Sequence, residues 1–234
     1  MEYKYCENAS FEDYASGRVL YGKRDIPNFP VRLLNEIFRR CVEYCENKSD
    51  LTIYDPCCGG GYSLTILGFC NNNVISHILG SDLDKDMIEY ARKNIGLLSH
   101  VGLQKRMNEI EGMVQLYGKT SHIEALDSAK RIMNKIVHEI NTDIFEADCT
   151  VPLSISKKPD IIITDVPYGN LVEWKGGQES GIPIMMEQLT QIAYPGTILA
   201  ISMDKHEKVN YSKWKRQEKN LIGKRKFEIY QYEG

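Results

Sequence analysis

The segment Asp165-Val166-Pro167-Tyr168 carries residue types that can activate a weak nitrogen nucleophile, and it follows a short strand-forming run. The nitrogen of an amide-like or arylamine group is a poor nucleophile because its lone pair is delocalised. It improves when a carboxylate or carbonyl takes up its hydrogen. Asp165 offers that carboxylate and Val166 that carbonyl. Pro167 restricts the backbone, and Tyr168 offers a flat face on which an extruded nucleobase can stack. The alternative is a strand-terminal turn with a buried tyrosine.

A second group of residues predicts a nucleoside-containing ligand. Asp55 ends a predicted strand and is followed by a tight turn containing Cys57, Gly59 and Gly61, where the backbone can approach a ligand closely. Asp82 closes the next predicted strand, 21 residues beyond Gly61. An acid at this place can accept hydrogen bonds from both hydroxyls of a ribose. The two signals together favour a cofactor site over an ordinary strand-to-helix turn.

Three further residues are candidate cofactor ligands. Asp148, just past the third strand, can accept a hydrogen bond from an adenine amino group, although spacing alone equally allows a surface aspartate. Asp84 lies beside Asp82 and can also cap the following helix. Arg32 falls in the first turn of the opening helix, where a cation opposes the helix dipole. It is either solvated or faces an anion, such as the cofactor carboxylate or an RNA phosphate.

The turn favours S-adenosylmethionine over a nicotinamide dinucleotide. The dinucleotide fingerprint needs a third glycine where this chain has Leu64. S-adenosylmethionine has no pyrophosphate to bind, and it offers a carboxylate for the helix N-terminus and cations for Asp55. We therefore predict a methyltransferase and disfavour a dehydrogenase.

The order of elements predicts an α/β fold with a mostly parallel sheet and helices on both faces, because strands alternate with helices. Ligand sites in such sheets lie at the carboxyl ends of the strands. We expect one domain over residues 1–234, with an N-terminal helical extension over about 1–48 and a helical insertion over about 101–140. The predicted helices are 30–47, 62–70, 84–98 and 183–193, and the predicted strands are 51–54, 77–81, 143–146, 160–164, 197–203 and 227–232.

Composition limits the class of protein. The chain has 234 residues, 42% hydrophobic and 26% charged, which is ordinary for a soluble globular protein. No apolar run approaches the roughly 18 residues of a membrane span. The polar start lacks the pattern of a secretory signal, so we expect a cytoplasmic protein. The seven cysteines have no metal-binding spacing, so no metal is predicted.

The charge of the chain is unevenly placed. A net charge of −3 argues against a dedicated nucleic-acid binder. Between residues 204 and 226, however, nine lysines and arginines stand against three acidic residues. This stretch, with Lys205 and Lys224 at its two ends, is either a phosphate-binding patch or a solvated surface. Trp174 lies in a polar loop that either closes over the substrate as a lid or is disordered.

The motifs 55–62, 80–84 and 165–169 resemble those of the AviRa-type ribosomal RNA methyltransferases. The likeness extends to segments 16–20 and 29–33, to the insertion and to the loop ending at Trp174, so it covers most of the chain. It implies a Rossmann-like class I methyltransferase fold with a seven-stranded sheet, S-adenosylmethionine as donor, and a guanine of 23S ribosomal RNA as acceptor. It also implies resistance to orthosomycins such as avilamycin. Arg18, in the first shared segment, joins Trp174, Lys205 and Lys224 as a candidate substrate ligand.

Several alternatives stay open. The methylated atom is ring N1 or exocyclic N2, because both lie on one edge of guanine. Another RNA, DNA or a protein glutamine remains a possible acceptor, although no target-recognition domain of a DNA enzyme is evident. A module that binds the cofactor or RNA without chemistry is a rival of another class. Its weakness is the intact motif at Asp165. The sequence gives no prediction of oligomeric state.

Overall fold

The protein was studied as a computed structural model, which describes residues 1–22, 28–166, 181–209 and 211–234. Its elements follow the predicted alternation. The helices are α1 (Val31–Tyr44), α2 (Tyr62–Cys70), α3 (Lys85–Gly96), α4 (His100–Tyr117), α5 (Thr120–Met133) and α6 (Ile182–Ile192). The strands are β1 (Leu51–Asp55), β2 (Ile75–Asp82), β3 (Asn141–Glu146), β4 (Ile161–Asp165), β5 (Ile198–Asp204), β6 (Trp214–Ile222) and β7 (Arg225–Tyr232).

All seven strands form one sheet in the order β3-β2-β1-β4-β5-β7-β6. The first five strands are mutually parallel, whereas β7 runs antiparallel to β5 and to β6. The predicted mostly parallel seven-stranded sheet is therefore confirmed. The strand order changes direction beside β1 and β4, so the crevice at their carboxyl ends is where such folds bind ligands.

Side-chain alternation along the strands divides the core into two layers. In β1, Leu51 and Ile53 face the layer containing the buried sides of α1, α2 and α3, whereas Tyr54 faces the layer containing α6. Helices thus cover both faces, as predicted. Alternation also places Asp55 on the α1 side, at the end of the strand that Leu51 begins.

The predicted insertion is a pair of helices, α4 and α5, that pack on each other and on the N-terminal segment. Arg18 contacts α5 there, since its guanidinium lies 3.0 Å from Glu124 and 3.4 Å from the Ser128 hydroxyl. Arg131 of α5 binds Asp13 in the same way. Arg18 thus holds the N-terminal segment on the insertion, and its role toward the substrate stays a prediction.

Strand β6 was absent from the predicted strands, because its lysines and arginines resembled a solvated stretch. It is one of the two edge strands of the sheet, and charged residues are typical of such edges because they discourage pairing with other chains. Lys213, Lys215, Arg216 and Lys219 lie 3.3–3.9 Å from acidic side chains. Much of the basic stretch is therefore paired within the protein. Among the described residues, no helix is long and apolar enough to cross a membrane.

Candidate active site

A small cleft opens at the carboxyl ends of β1, β4 and β5, against α1 and the start of α2. Asp55, Asp165 and Ser202 line it, together with Phe29 and Thr164. The three strand-end residues share one face because each follows the apolar residues of its strand at a spacing of two. The cleft thus brings the start of the predicted cofactor motif and the predicted catalytic acid to one place.

The turn between β1 and α2 has the backbone shape that its glycines predict. Gly59 and Gly61 have φ values of 51° and 72°, in the left-handed region that favours glycine. A Cβ atom on Gly61 would lie 2.9 Å from the Cα atom of Ala91, so α3 packs directly on the turn. Gly61 is therefore needed for close packing as well as for conformation.

Asp82 is fixed by backbone donors from two directions. Its Oδ2 accepts from the Gly59 amide at 2.8 Å, and its Oδ1 accepts from the Asp84 amide at 3.0 Å. Each carboxylate oxygen has a second lone-pair position. The carboxylate is thus oriented at the end of β2 and retains acceptor capacity for a ligand's hydroxyl groups.

Asp55 is buried, with 4% of its surface exposed, and its Oδ1 accepts from the Cys57 amide at 3.0 Å. Burial raises the pKa of Asp55 from 3.8 to about 7, because a charged carboxylate loses its hydration there. The Cys57 amide and the Thr164 hydroxyl oppose this increase, and the nearby charge of Asp82 adds to it. Asp55 is a carboxyl group whose charged form would be favoured by a bound cation.

Asp84 and Asp148 make local hydrogen bonds. Asp84 caps α3, where its side chain accepts from the amides of Asp86 and Met87 at 2.8 and 3.4 Å. Its predicted capping role is confirmed. Asp148 accepts from the amide and the hydroxyl of Thr150, at 2.9 and 2.6 Å. These bonds fix the loop after β3, and a role for either residue toward the cofactor stays a prediction.

Cys57 connects the glycine turn to the loop after β3. Its Sγ lies 3.6 Å from that of Cys149, the residue that follows Asp148. The contact with Cys149, together with burial, raises the pKa of the Cys57 thiol. The contact thus packs the turn against the loop that carries Asp148. The described residues contain no group of three or more His, Cys, Asp or Glu residues arranged for a metal.

The predicted catalytic Asp165 ends β4 and forms an ion pair with Arg225, through its Oδ1 and the arginine Nη2. The same Nη2 donates to the Ser202 hydroxyl at 3.0 Å. Val166 follows with 1% of its surface exposed, and its amide donates to the Ser202 carbonyl at 3.1 Å. The pairing of Arg225 was missed, because the residue was counted among the basic stretch. Its spacing of two from the buried Phe227 and Ile229 is the signal that it points to the same face.

The remaining predicted ligands divide into three groups. Arg32 donates to the Cys6 carbonyl at 3.1 Å and lies over the Tyr3 ring, so the N-terminal segment occupies its guanidinium. Lys205 and Lys224 are exposed and adjacent, since the Lys205 amide donates to the Lys224 carbonyl. They lie at the hairpin that carries Arg225. The last group, Pro167, Tyr168 and Trp174, lies outside the described residues.

Comparisons with known proteins agree with this geometry. The chain is 32% identical to the 23S rRNA (guanine(2535)-N(1))-methyltransferase of Streptomyces viridochromogenes, over 94% of this chain and 91% of that protein. Two structures of the rRNA methyltransferase aviRa from the same organism, at 1.5 and 2.4 Å, superpose with TM-scores of 0.87 and 0.86. Their identities are 30% and 31%, and each match covers 96% of this chain and 94% of the other.

A more distant structure shows how widely the fold is shared. TrmN from Thermus thermophilus matches with a TM-score of 0.54 and 12% identity, over 87% of this chain and 49% of that one. The fold is that of the Rossmann-like class I methyltransferases. The family model described as rRNA methyltransferase AviRa matches residues 1–225. The chain therefore belongs to the AviRa rRNA methyltransferase family.

Proposed function

We propose that this protein transfers a methyl group from S-adenosylmethionine to ring N1 of a guanine in 23S ribosomal RNA. One observation carries the proposal: Asp165, the candidate proton acceptor, shares a cleft with Asp55, which begins the candidate cofactor turn. The cofactor and the base can therefore meet between neighbouring strands. The relative named for guanine N1 supports this atom over exocyclic N2, and its alignment extends over nearly the whole chain.

The residues at the ends of β1 and β2 fit S-adenosylmethionine. Asp82 is held by two backbone amides in an orientation that leaves acceptor positions for ribose hydroxyls. Asp55, buried beside the same turn, is suited to a cationic group. The glycine turn lets a ligand approach the backbone closely. The N-terminus of α2, which follows the turn, is suited to a carboxylate. When bound, the cofactor supplies a methyl group on a positively charged sulfur.

The residues at the end of β4 supply the base chemistry. The N1 nitrogen of guanine carries a hydrogen, and its lone pair is delocalised toward O6. A new N1–CH3 bond forms as the S–CH3 bond breaks with its electron pair kept by sulfur, and the N1 hydrogen must leave as a proton. Asp165 is placed to accept that proton. No metal or redox step is required by this balance.

The substrate must present an unpaired base to this cleft. The Watson–Crick edge of guanine is hidden in a regular helix, and the major groove of A-form RNA is closed to side chains. We therefore expect a loop, a bulge or an extruded nucleotide as the acceptor. Lys205 and Lys224 are exposed beside the turn between β6 and β7 and are suited to contact RNA phosphates. The affinity for RNA should therefore weaken steeply as the salt concentration rises. We expect the protein to encounter 23S ribosomal RNA in the cytoplasm.

Methyl transfer from labelled S-adenosylmethionine tests the proposal. The acceptors to compare are unmodified 23S ribosomal RNA, transfer RNA, duplex DNA and ribosomal protein. Digestion of the RNA to nucleosides should place the label in N1-methylguanosine. Label in N2-methylguanosine would keep the fold and donor but change the atom. Label only in DNA or protein would contradict the RNA assignment, and cofactor binding without transfer to any acceptor would favour a non-catalytic module.

Orthosomycin resistance, which the sequence resemblance implies, requires a cellular test. Expression of the chain in a sensitive bacterium should raise the inhibitory concentration of avilamycin. A variant with Asp165→Ala should give no increase, because the same protein would then be present without methyl transfer. Equal protection by both would separate resistance from the methylation chemistry.

A further inference from the structure

Arg225 reaches the active-site cleft from the far end of the sequence. It is the first residue of β7, directly after the turn at Gly223, whose φ of 60° closes the β6–β7 hairpin. In the sheet, β7 lies beside β5, and Ser202 of β5 is in register with both Asp165 and Phe227. The side chain of Arg225 therefore crosses the end of β5 to meet the end of β4.

The guanidinium of Arg225 contacts three residues that line the cleft. Its Nη2 pairs with Asp165 and donates to Ser202 at 3.0 Å, and its central carbon lies 5.2 Å from the centre of the Phe29 ring. The side chains of Arg225 and Asp165 are 25% and 34% exposed. By contrast, the neighbouring Lys226–Glu228 pair is almost closed to solvent, at 2% and 1%. The Arg225–Asp165 pair can thus be reached by a ligand.

Stability alone gives little reason for a charged pair at this place. Burial lowers the pKa of Arg225, which shows that the site disfavours the cation. Charged pairs that lose hydration often contribute no more to folding than apolar residues of similar volume. The pairing uses Oδ1 of Asp165, and a carboxylate has about four lone-pair positions, so the group can accept further hydrogen bonds.

We propose that Arg225 and Asp165 together read the edge of the target guanine, with Arg225 donating to O6 and Asp165 accepting from N1–H. The inference rests on the proposed function and adds a residue that selects the base. Guanine presents an acceptor, O6, next to a donor, N1–H, and the pair presents a donor next to an acceptor. Arginine is well suited to such planar recognition.

The same pair disfavours two of the other bases. Adenine in the same orientation would place its amino group against the guanidinium and its N1 lone pair against the carboxylate. Cytosine would do the same with its amino group and N3. Such repulsive contacts reject a competitor as effectively as new attractive ones. Uracil shares the pattern of guanine, so its rejection requires the size of the base. As the N1 proton leaves, negative charge grows on O6, where Arg225 stabilises it.

The contact between Arg225 and O6 can be tested by a double-mutant cycle, in which the arginine and the base oxygen are each changed alone and then together. The methylated guanosine is first mapped on a 23S RNA transcript with the parent protein, and a synthetic hairpin is made around it. Hairpins carrying guanosine, 6-thioguanosine or inosine at that place are then compared by fluorescence anisotropy, with S-adenosylhomocysteine present so that no reaction occurs. Sulfur at position 6 is a weak acceptor, whereas inosine keeps O6 and N1–H.

The parent protein should bind the guanosine hairpin at least about fivefold more tightly than the 6-thioguanosine hairpin, the scale of one hydrogen bond to a base. Arg225→Met should bind these two hairpins equally, while its ratio of guanosine to inosine affinity matches that of the parent. Arg131→Met, which removes an arginine from its pair with Asp13, is the matched control and should keep the parent's preference for oxygen.

Two results overturn the inference. If Arg225→Met binds all hairpins more weakly but keeps the parent's preference for guanosine over 6-thioguanosine, Arg225 is structural. If Arg225→Met fails to fold, Arg225→Leu, which also lacks a donor, is measured, and an undiminished preference in that variant has the same meaning. A parent protein that methylates no RNA at all would instead refute the proposed function, and with it this inference.

Discussion

Cofactor affinity should depend on pH through Asp55. Its carboxyl group is buried, and the pKa is raised to about 7, so the free protein holds it protonated over a range where most aspartates are ionised. A bound cation requires the charged form. Below pH 7 most Asp55 carboxyl groups are protonated, and each must lose its proton when S-adenosylmethionine binds. The affinity for S-adenosylmethionine should therefore decrease as the pH falls.

The size of the effect follows from the ionised fraction. With a pKa of about 7, roughly 1% of Asp55 is charged at pH 5 and about half at pH 7. The association constant should therefore rise about 50-fold between these values, with a slope near one in the logarithm, and level off above pH 7. The stability of the free protein should change in the opposite direction. The folded state binds the proton of Asp55 more tightly than the unfolded chain does, so this proton stabilises the fold. Its contribution to the free energy of unfolding is complete below about pH 4, and up to about 4 kcal/mol is lost as pH rises through 7.

Isothermal titration calorimetry with S-adenosylmethionine at several pH values between 5 and 8 measures the slope. Asp55→Asn is the control, because it keeps the shape of the side chain and removes the titrating proton. It should bind weakly and with little dependence on pH. A flat profile for the parent protein would refute the reasoning, and an equal slope in Asp55→Asn would assign the titration to another group.

Five further substitutions test the chemistry, the packing of the glycine turn, and the roles of Asp84 and Asp82. Asp165→Ala should keep cofactor affinity but reduce methyl transfer at least about 100-fold, measured with labelled cofactor and RNA; equal rates would show that the motif is structural. Gly61→Ala should lower the free energy of unfolding by about 2–4 kcal/mol in urea, because of its positive φ and its contact with Ala91. Gly112→Ala, in an open part of α4, should instead stabilise by about 0.5–1 kcal/mol. Asp84→Ala should cost about 1 kcal/mol of folding free energy as a lost cap. Asp82→Ala should weaken cofactor binding by about 1–3 kcal/mol, and calorimetry on both variants tests the predicted role of Asp84 toward the cofactor as well.

Local rules made much of the fold predictable from the sequence. The spacing of two in Leu51, Ile53 and Asp55 shows both the strand and the face on which the acid lies, and the position of Asp84 predicts the start of α3 to the residue. The parallel sheet follows from alternation of elements. The acids at the ends of β1, β2 and β4 could therefore be placed near one another before their geometry was known.

Contacts between residues that lie far apart in the sequence could not be predicted from local rules. The contact of Cys57 with Cys149 joins residues 92 positions apart, and the pairing of Arg225 with Asp165 depends on the register of two strand pairs. Arg32 and Arg18 have the charge expected of ligand-binding residues, but the N-terminal segment and α5 provide their partners. A charge pattern shows that a residue needs a partner, and only the tertiary fold shows which one.

The position of β7 between β5 and β6 has a consequence for synthesis of the chain. A nascent protein emerges from its N-terminus, so β6 leaves the ribosome before the strand that joins it to the sheet. The acid of β4 is made about sixty residues before the arginine that it binds. A chain that stops before residue 225 contains the residues of the parallel strands and of the glycine turn, but it lacks the guanidinium at the cleft and the buried side chains of β7. We expect such a fragment to retain cofactor-binding residues without a complete base-binding edge, so that the last hairpin makes activity depend on completed translation.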